Sequence, residues 1–388
     1  MPATASRRAA ILLWVAAALL TLVAIQRLAD GLVQLVWIPT PPVDLAIRWR
    51  ETQRWFAGLP VYNDRFAVYP PGSYPLLWPA LGWVSLVRAR WIWGVTSLAA
   101  LGWLSCIAVR ESGARTRPTR AIIALLPFAI YPSRAVMVNG QLALHLLPMV
   151  VAGLLLLLRR PPSWRRDLGG AVLLLVALAK PTLTAPFMWI AITARTPLRP
   201  AALLGLGYVG LTVAGSFFQA GGPVGLAGQF AGGAVRDAAR ASAQSHANLH
   251  AWIDTLGLGW GYAAASLAAL AALGWWTIFR ARDADPWIKL GVAALVARFW
   301  TFHYRYDDML LIVPVVSLIR LVGRREPGAP ADRGAASVLA LLAATLLIPA
   351  RLFFPPFPWQ AIEAIQTIVW LVALGYLVSR THSSLSVS

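Results

Sequence analysis

Long apolar runs alternate with short polar segments, most of which contain arginine, along almost the whole chain of 388 residues. A helix that crosses a membrane needs about 20 mostly apolar residues, because it rises about 1.5 Å per residue. The runs therefore predict an all-α, polytopic membrane protein with about 12 transmembrane helices and with juxtamembrane helices on its outer face. The predicted crossings are 9–35, 91–109, 121–137, 141–158, two half-length segments within 168–194, 200–219, 257–279, 288–302, 308–323, 335–350 and 360–379.

The region 75–109 contains two apolar stretches that are separated by Arg88 and Arg90. Cytoplasmic loops of membrane proteins are enriched in Lys and Arg. This rule favours an interfacial helix over 74–87 followed by one crossing, because the arginine-rich segment 110–120 then returns to the inside. With this choice both termini are predicted to lie inside.

A second interpretation concerns the apolar stretch 168–194, which is interrupted by Lys180-Pro181. Proline breaks a helix because it lacks the backbone N–H and its ring clashes with the preceding turn. Basic loops flank both ends of the stretch, so both ends are expected on the inside. We therefore predict two half-length helices that form a hairpin, with Lys180 near its outer tip.

The composition supports the membrane assignment and excludes other classes. The chain is 59% hydrophobic and 13% charged, whereas soluble domains contain about 45–50% apolar and about 25% charged residues. The net charge of +19 lies in arginine clusters between apolar runs, so it predicts membrane orientation and contact with membrane lipids rather than a nucleic-acid partner. The single cysteine, Cys106, excludes an intramolecular disulfide.

The first outer loop is predicted to span 36–90 and to contain juxtamembrane helices. Its segment 43–58 follows a Pro-Pro pair and is amphipathic. Asp44, Arg48 and Glu51 are spaced so that they share one face of a helix. We expect this helix to lie in the membrane interface and to present these three charges together.

Further polar residues gather at the same predicted side of the membrane. They lie in the turn 138–141 with His145 one helical turn later, in a predicted outer loop 220–256, and in the segment 303–308. Arg298 lies inside an apolar run, where an unpaired cation is costly and is therefore a candidate functional residue.

Several short motifs follow one another along most of the chain. They are Pro42-Val43-Asp44-Leu45, Gly58-Leu59-Pro60-Val61-Tyr62, Tyr69-Pro70-Pro71, Gly140-Gln141, Lys180-Pro181, the segment 245–248 and His303-Tyr304. The ordered set resembles the GT-C class of polyprenyl-phosphate-dependent glycosyltransferases, specifically glycosyltransferase family 87, which contains bacterial alpha-mannosyltransferases.

The resemblance implies one integral-membrane glycosyltransferase domain over 1–388. It implies inverting transfer of a sugar, with mannose expected, from a polyprenyl-phosphate donor to a hydroxyl group of a glycolipid or polysaccharide acceptor. The expected location is the bacterial cytoplasmic membrane, with the active site facing the periplasm or exterior, and no cofactor is implied.

The resemblance and the chemistry of the reaction together assign roles to individual residues. Asp44 matches the general base, which removes the proton of the acceptor hydroxyl. The predicted ligands of the donor phosphate are Lys180, Arg48, Arg298, His303 and Arg305. The predicted sugar- or acceptor-binding residues are Tyr62, Tyr69, Asn139, Gln141, His145, His246, Asn248 and Tyr304.

Structural roles compete with several of these assignments. Asp44 stands where a helix-capping residue is common, and Arg48 is also suited to a solvated helix face. Lys180 is equally suited to reach from an apolar region to the membrane surface. From the residues alone, these alternatives stay open.

No metal is predicted. His246 and His250 have the spacing of a helical zinc pair, but the accompanying glutamate and a third ligand are missing. Asp307 and Asp308 offer oxygen ligands for a divalent cation, although acids at a helix start also complement its dipole.

Two other functions are considered beside the enzyme. A transporter or flippase predicts binding groups near the membrane midplane and inverted repeats, whereas this chain shows no internal repeat and gathers its polar residues on one predicted side. A membrane scaffold without activity gives no reason for such a polar cluster.

Overall fold

The computed structural model describes residues 3–64, 66–159, 161–194, 196–241, 247–323, 332–348 and 358–381. All regular secondary structure in these ranges is helical. The helices are α1 Ala3–Val36, α2 Val43–Phe56, α3 Ser73–Leu81, α4 Leu86–Glu111, α5 Arg117–Ala129, α6 Tyr131–Asn139, α7 Ala143–Leu158, α8 Trp164–Ala177, α9 Pro181–Ala191, α10 Leu198–Ser216, α11 Gly222–Ala241, α12 Leu249–Thr255, α13 Tyr262–Trp275, α14 Pro286–Phe299, α15 Ile312–Gly323, α16 Arg333–Leu347 and α17 Trp359–Ser379, with a 3₁₀ turn over Arg305–Leu311.

Six helical segments among the described residues are long and apolar enough to cross a membrane. They are Arg7–Val36, Leu86–Glu111, Arg117–Asn139, Leu198–Ser216, Gly259–Arg280 and Trp359–Ser379, and two shorter apolar helices are Ala143–Leu158 and Arg333–Leu347. The prediction of an all-α, polytopic membrane protein is confirmed. The number of about 12 crossings stays a prediction.

The region 75–109 forms a short helix, α3, and one long helix, α4, as the charge pattern predicts. The boundary between them differs from the prediction. Ser85 accepts a hydrogen bond from the backbone N–H of Arg88 and thereby caps α4. Arg88 and Arg90 therefore lie in the first turns of α4 rather than between two helices, because a serine cap is a strong helix start.

The chain doubles back at Lys180, as the hairpin prediction requires. Helix α8 ends at Ala177 and α9 begins at Pro181. Beyond the end of α9, the Thr196 hydroxyl donates to the carboxylate of Asp167 in the first turn of α8, over 2.9 Å. The two ends of the hairpin therefore lie together, and Lys180 lies at the opposite end, at its tip.

Most of the predicted outer loop 220–256 is helical. Its described residues form α11 and α12. Five glycines in α11 argue against a helix by intrinsic propensity. However, Leu226 and Phe230 are spaced one helical turn apart and pack against the aromatic residues of the first outer segment, so tertiary packing outweighs propensity.

A small second core holds α2 in place beside the main helical bundle. It contains Leu45, Trp55 and Tyr74, and the rings of Trp55 and Tyr74 stack with centroids 4.2 Å apart. The indole N–H of Trp55 donates to the carbonyl of Gly215 in α10 over 2.9 Å. These contacts fix the orientation of α2 and thereby the direction of its charged face.

Candidate active site

A cavity of about 400 Å³ opens between α2, the tip of the α8–α9 hairpin, α11 and the segment before the 3₁₀ turn. Its lining combines charged, polar and aromatic side chains from segments that are far apart in sequence. These residues are Val43, Asp44, Ile47, Arg48, Phe66, Val68, Tyr69, Asn139, Gln141, Lys180, Thr182, Phe230, Ala234, Phe302, His303, Tyr304, Tyr306 and Asp307.

Asp44 points into the cavity rather than capping α2. Pro42 is the residue before the helix, and no side chain caps this helix end. Asp44 instead accepts a hydrogen bond from the side chain of Gln141. Burial raises the pKa of Asp44 above its ordinary value, and the nearby Gln141, Lys180 and Arg48 oppose this effect only in part.

Gln141 reaches Asp44 because α6 ends at a residue with a left-handed backbone. Gly140 has φ 68°, and any side chain there would collide with Leu45 of α2. Gly140 therefore permits both the turn and the close approach of α2. Gln141 is 5% exposed, and its Oε1 accepts from Lys180 Nζ over 3.2 Å, so one amide links the carboxylate to the ammonium group.

Lys180 joins this first group to a second one. Its Nζ lies 3.1 Å from Asp307 Oδ1, and His303 Nδ1 lies 2.9 Å from Asp307 Oδ2. Burial disfavours the ionised form of Asp307, but Lys180 and His303 together outweigh burial and lower the pKa of this carboxyl well below its ordinary value. Asp44, Gln141, Lys180, Asp307 and His303 thus form one continuous polar chain.

His303 has one ring nitrogen that is still available to a ligand. The side chain is 2% exposed and lines the cavity. Its Nδ1 faces Asp307, whereas its buried Nε2 has no hydrogen-bond partner among the described residues. A buried polar atom without a partner is unfavourable, so a bound ligand that reaches Nε2 would remove this cost.

Arg48 borders the cavity, but its guanidinium is engaged on several sides. It lies 2.7 Å from Glu51 Oε2, donates to the carbonyl of Phe66 over 2.6 Å, and stacks over the ring of Tyr69 with 4.3 Å to the centroid. Burial raises the pKa of Glu51 to about 7. Arg48 therefore shapes the wall of the cavity and adds positive potential to it.

Arg298, a predicted phosphate ligand, does not line this cavity. Its guanidinium is fully buried, pairs with Asp308 and donates to the carbonyl of Ala247 over 2.9 Å. Asp308 also accepts from the hydroxyl of Tyr131. The cation within an apolar run is thus compensated by a buried carboxylate.

Arg305, another predicted phosphate ligand, does not line the cavity either. It lies 2.7 Å from Glu363 and stacks over the ring of Trp359 with 4.1 Å to the centroid. Both contacts join the 3₁₀ turn to the start of α17. The sequence shows Arg305, but it does not show that Glu363 and Trp359 are its partners.

Two predicted sugar-binding residues also lie elsewhere. The Tyr62 hydroxyl donates to the carbonyl of Tyr69 over 2.8 Å, and its ring borders a neighbouring cavity. His145 Nε2 lies 2.9 Å from the hydroxyl of Thr96, and its ring packs against Trp93. Tyr62 therefore supports the wall that Tyr69 provides, and His145 belongs to the packing between α4 and α7.

The remaining predictions fall in or near the segment 242–248. Asn248 caps α12 by accepting from the backbone N–H of Ala251 over 2.9 Å, and it does not line the cavity. His246 lies outside the described residues. His250 Nε2 lies 2.7 Å from the hydroxyl of Ser266. Within the described ranges no three His, Cys, Asp or Glu side chains form a group that could hold a metal.

Asp307 is the main cavity residue for which sequence reasoning proposed no role in sugar transfer. It is 127 positions from Lys180, so no local spacing relates the two. The signal that was present is the cluster of charged and aromatic residues at 303–308. Thr182, Tyr306 and Phe230 also line the cavity and were not predicted.

A helical membrane protein with a carboxylate, an ammonium group and an open imidazole around one cavity has the groups that a membrane-embedded group-transfer enzyme needs. The sequence matches glycosyltransferase family 87 over residues 66–314, which is more than half of the chain. The protein therefore belongs to glycosyltransferase family 87 and is a glycosyltransferase. The matched range contains Lys180, Asp307 and His303, and it begins after Asp44.

No curated protein and no solved structure matches the chain. Family membership makes the chain an enzyme, in preference to the transporter and the scaffold that its sequence also allowed.

Proposed function

We propose that this enzyme transfers a sugar, specifically mannose, from a polyprenyl phosphate to a hydroxyl group of a glycolipid or polysaccharide, with inversion at the anomeric carbon. The observation that carries the proposal is that Asp44 and Lys180 share one cavity and are linked through Gln141. A general base for the acceptor and a cation for the leaving phosphate are the two groups that this reaction needs.

In the proposed reaction, Asp44 takes the proton of the acceptor hydroxyl while the hydroxyl oxygen attacks the anomeric carbon. The bond between that carbon and the phosphate oxygen breaks, and the electron pair leaves with the polyprenyl phosphate. Lys180 stabilises the negative charge that the phosphate gains. Attack from the face opposite the leaving group inverts the configuration, and Asp44 then releases its proton to water.

His303 is better suited to a sugar hydroxyl than to the phosphate that the sequence suggested. His303 Nδ1 lies 2.9 Å from Asp307 Oδ2, and burial lowers the pKa of His303, which favours the neutral ring with its proton on Nδ1. In that tautomer Nε2 carries a lone pair and accepts a hydrogen bond. A sugar hydroxyl donates such a bond, whereas a phosphate oxygen cannot.

A second observation supports a lipid-linked donor. An apolar cavity of about 530 Å³ lies between α12, α13, α14 and α17. Trp300 lines this apolar cavity, and Phe302 and His303 line the polar one. The short segment 300–303 thus borders both cavities, as a donor with a polar head and a long hydrocarbon chain would require.

The proposed location is the outer side of the bacterial cytoplasmic membrane, with the polar cavity open to the exterior. The charge pattern of the sequence supports this orientation, since arginine-rich segments such as 110–120 and 159–166 lie between apolar runs at the opposite side in the predicted topology.

The direct test is transfer of radioactive mannose from purified polyprenyl-phosphate mannose to lipid extracts, in detergent or proteoliposomes. We expect transfer from this donor and none from GDP-mannose. Transfer from a nucleotide sugar alone would contradict the lipid donor, and transfer only from polyprenyl-phosphate glucose would replace mannose with glucose.

The pH dependence of transfer should report the ionisation of Asp44. The base must be ionised to accept a proton, and its pKa is raised by burial. The value of kcat/KM is therefore expected to fall about tenfold per pH unit below that pKa, with a midpoint above that of an ordinary aspartate. The measurement is a pH profile of wild type and of Asp44→Asn. If the acidic limb of the pH profile has the same midpoint in both proteins, the titrating group is not Asp44.

Replacing His303 with asparagine is expected to weaken donor use about tenfold in kcat/KM, because the Asn amide can still reach Asp307 but offers nothing at the position of Nε2. His303→Gln, which carries an amide nearer that position, should recover part of the loss. Both variants are compared by kcat/KM for the donor and by thermal stability. Wild-type kcat/KM in His303→Asn would show that Nε2 contacts no substrate.

A further inference from the structure

A second polar cavity, of about 460 Å³, lies on the other side of α11 from the catalytic cavity. It is formed by the first outer segment, the residues after α10 and one face of α11. Its lining includes Tyr62, Asn63, Gln219, Gly228, Gln229 and Arg236. Among its lining residues, only Tyr62 has been given a role above, as a predicted sugar- or acceptor-binding residue and as support for Tyr69.

Helix α11 separates the two cavities. Phe230 and Ala234 face the catalytic cavity, whereas Gln229, Gly232 and Arg236 face the second one. At 100° per residue these two sets fall on opposite sides of the helix. A ligand present in both cavities would therefore contact both faces of α11.

A second wall separates the two cavities on the side of the first outer segment. The ring of Tyr62 borders the second cavity, and its hydroxyl donates to the carbonyl of Tyr69 over 2.8 Å. Tyr69 lines the catalytic cavity. The wall between the cavities on this side is therefore a single pair of residues.

The second cavity has the chemistry of a carbohydrate site. Asn63 and Gln229 offer amides that both donate and accept, Arg236 offers donors, and Tyr62 offers an aromatic ring. Gln219 is already engaged, since its amide donates to the carbonyls of Trp55 and Leu59 over 2.8 and 3.1 Å. This amide therefore holds the wall in place.

We infer that this second cavity binds sugar residues of the acceptor beyond the one that carries the attacking hydroxyl. The inference rests on the proposed function and extends it. It means that the enzyme recognises an acceptor with at least one further polyhydroxylated unit, and that α11 lies between the reacting sugar and that unit.

Gly228 provides a way to fill the second cavity without disturbing the fold. A Cβ atom built on Gly228 meets no atom within 4 Å, and glycine is the weaker helix former. Gly225 is a matched control, because its Cβ also meets nothing within 4 Å and it lines neither cavity. We therefore compare Gly228→Trp with Gly225→Trp.

The assay is transfer of radioactive mannose from polyprenyl-phosphate mannose to the glycolipid fraction extracted from native membranes, with donor and extract varied separately. In Gly228→Trp the amount of extract that gives half-maximal rate should rise at least about tenfold, because hydrogen bonds to the acceptor are lost. The half-saturating donor concentration should stay within about twofold of wild type. In Gly225→Trp both values should match wild type.

Gln229→Ala is a second, less disruptive variant. It should raise the amount of extract that gives half-maximal rate about fivefold. The half-saturating donor concentration should stay unchanged. If both Gly228→Trp and Gln229→Ala need the same amount of extract as wild type for half-maximal rate, the inference is overturned, although transfer itself still occurs. If the wild-type protein transfers no mannose, the result instead contradicts the proposed function on which the inference rests. Thermal unfolding of each variant confirms that it is folded.

Discussion

Asp44→Asn is expected to lower the rate of sugar transfer at saturating donor and acceptor by at least about 100-fold, the usual contribution of a positioned general base. The amide has the size of the carboxylate and can still hydrogen bond with Gln141, which contacts Asp44. Binding of both substrates should therefore be nearly unchanged. The loss should appear in kcat, because proton removal occurs only as the acceptor reacts.

The control for Asp44→Asn is Asp254→Asn. Asp254 accepts from the hydroxyl of Tyr262 over 2.7 Å and does not line the catalytic cavity. Its variant should transfer sugar at the wild-type rate. Wild-type kcat in Asp44→Asn would exclude this residue as the base and would direct attention to Asp307 and His303.

Lys180→Met is expected to lower kcat/KM for the donor by about 100-fold or more, because a cation that stabilises the leaving group acts most strongly in the transition state. Methionine keeps most of the side-chain volume but removes the charge. A second readout is inhibition by the product, polyprenyl phosphate. Its inhibition constant should rise about tenfold in Lys180→Met and stay unchanged in Asp44→Asn.

The chain supplies its own control, since Lys289 is its other lysine. Lys289 Nζ bonds to the hydroxyl of Thr193 and the carbonyl of Arg282, at the end of the α8–α9 hairpin opposite Lys180. Lys289→Met should leave the product inhibition constant unchanged. Lys180→Arg keeps the charge beside Asp307 and should recover folding and part of the activity. An unchanged product inhibition constant in folded Lys180→Met would contradict the phosphate role.

Local patterns in the sequence predicted much of this arrangement. The spacing of Asp44, Arg48 and Glu51 predicted a helix with one charged face, and α2 has that face. Lys180-Pro181 predicted a break in a long apolar stretch, and the chain turns there. These predictions depend on helical periodicity and on the geometry of proline, which neighbouring residues determine.

Contacts between distant segments were beyond such patterns. Arg298 and Arg305 looked available for phosphate because the separation of 10 residues between Arg298 and Asp308 is no helical spacing, and Glu363 lies 58 residues from Arg305. The prediction of an outer loop over 220–256 included no helix, and the packing of Phe230 on the first outer segment accounts for α11 despite its glycines. The partner of a buried charge and the packing of a helix against a distant segment can therefore be identified only once the fold is known.

The hairpin that carries Lys180 has a consequence for the membrane around it. Helix α8 has 14 residues and therefore rises about 21 Å, whereas the hydrocarbon core of a bilayer is about 30 Å thick. If α8 starts at one boundary of that core, Lys180 stops several ångströms short of the other. A donor phosphate that reaches Lys180 must then sit deeper than the head groups of neighbouring lipids, or the bilayer must thin locally. The thickness of the bilayer would then determine how readily the donor binds to the enzyme.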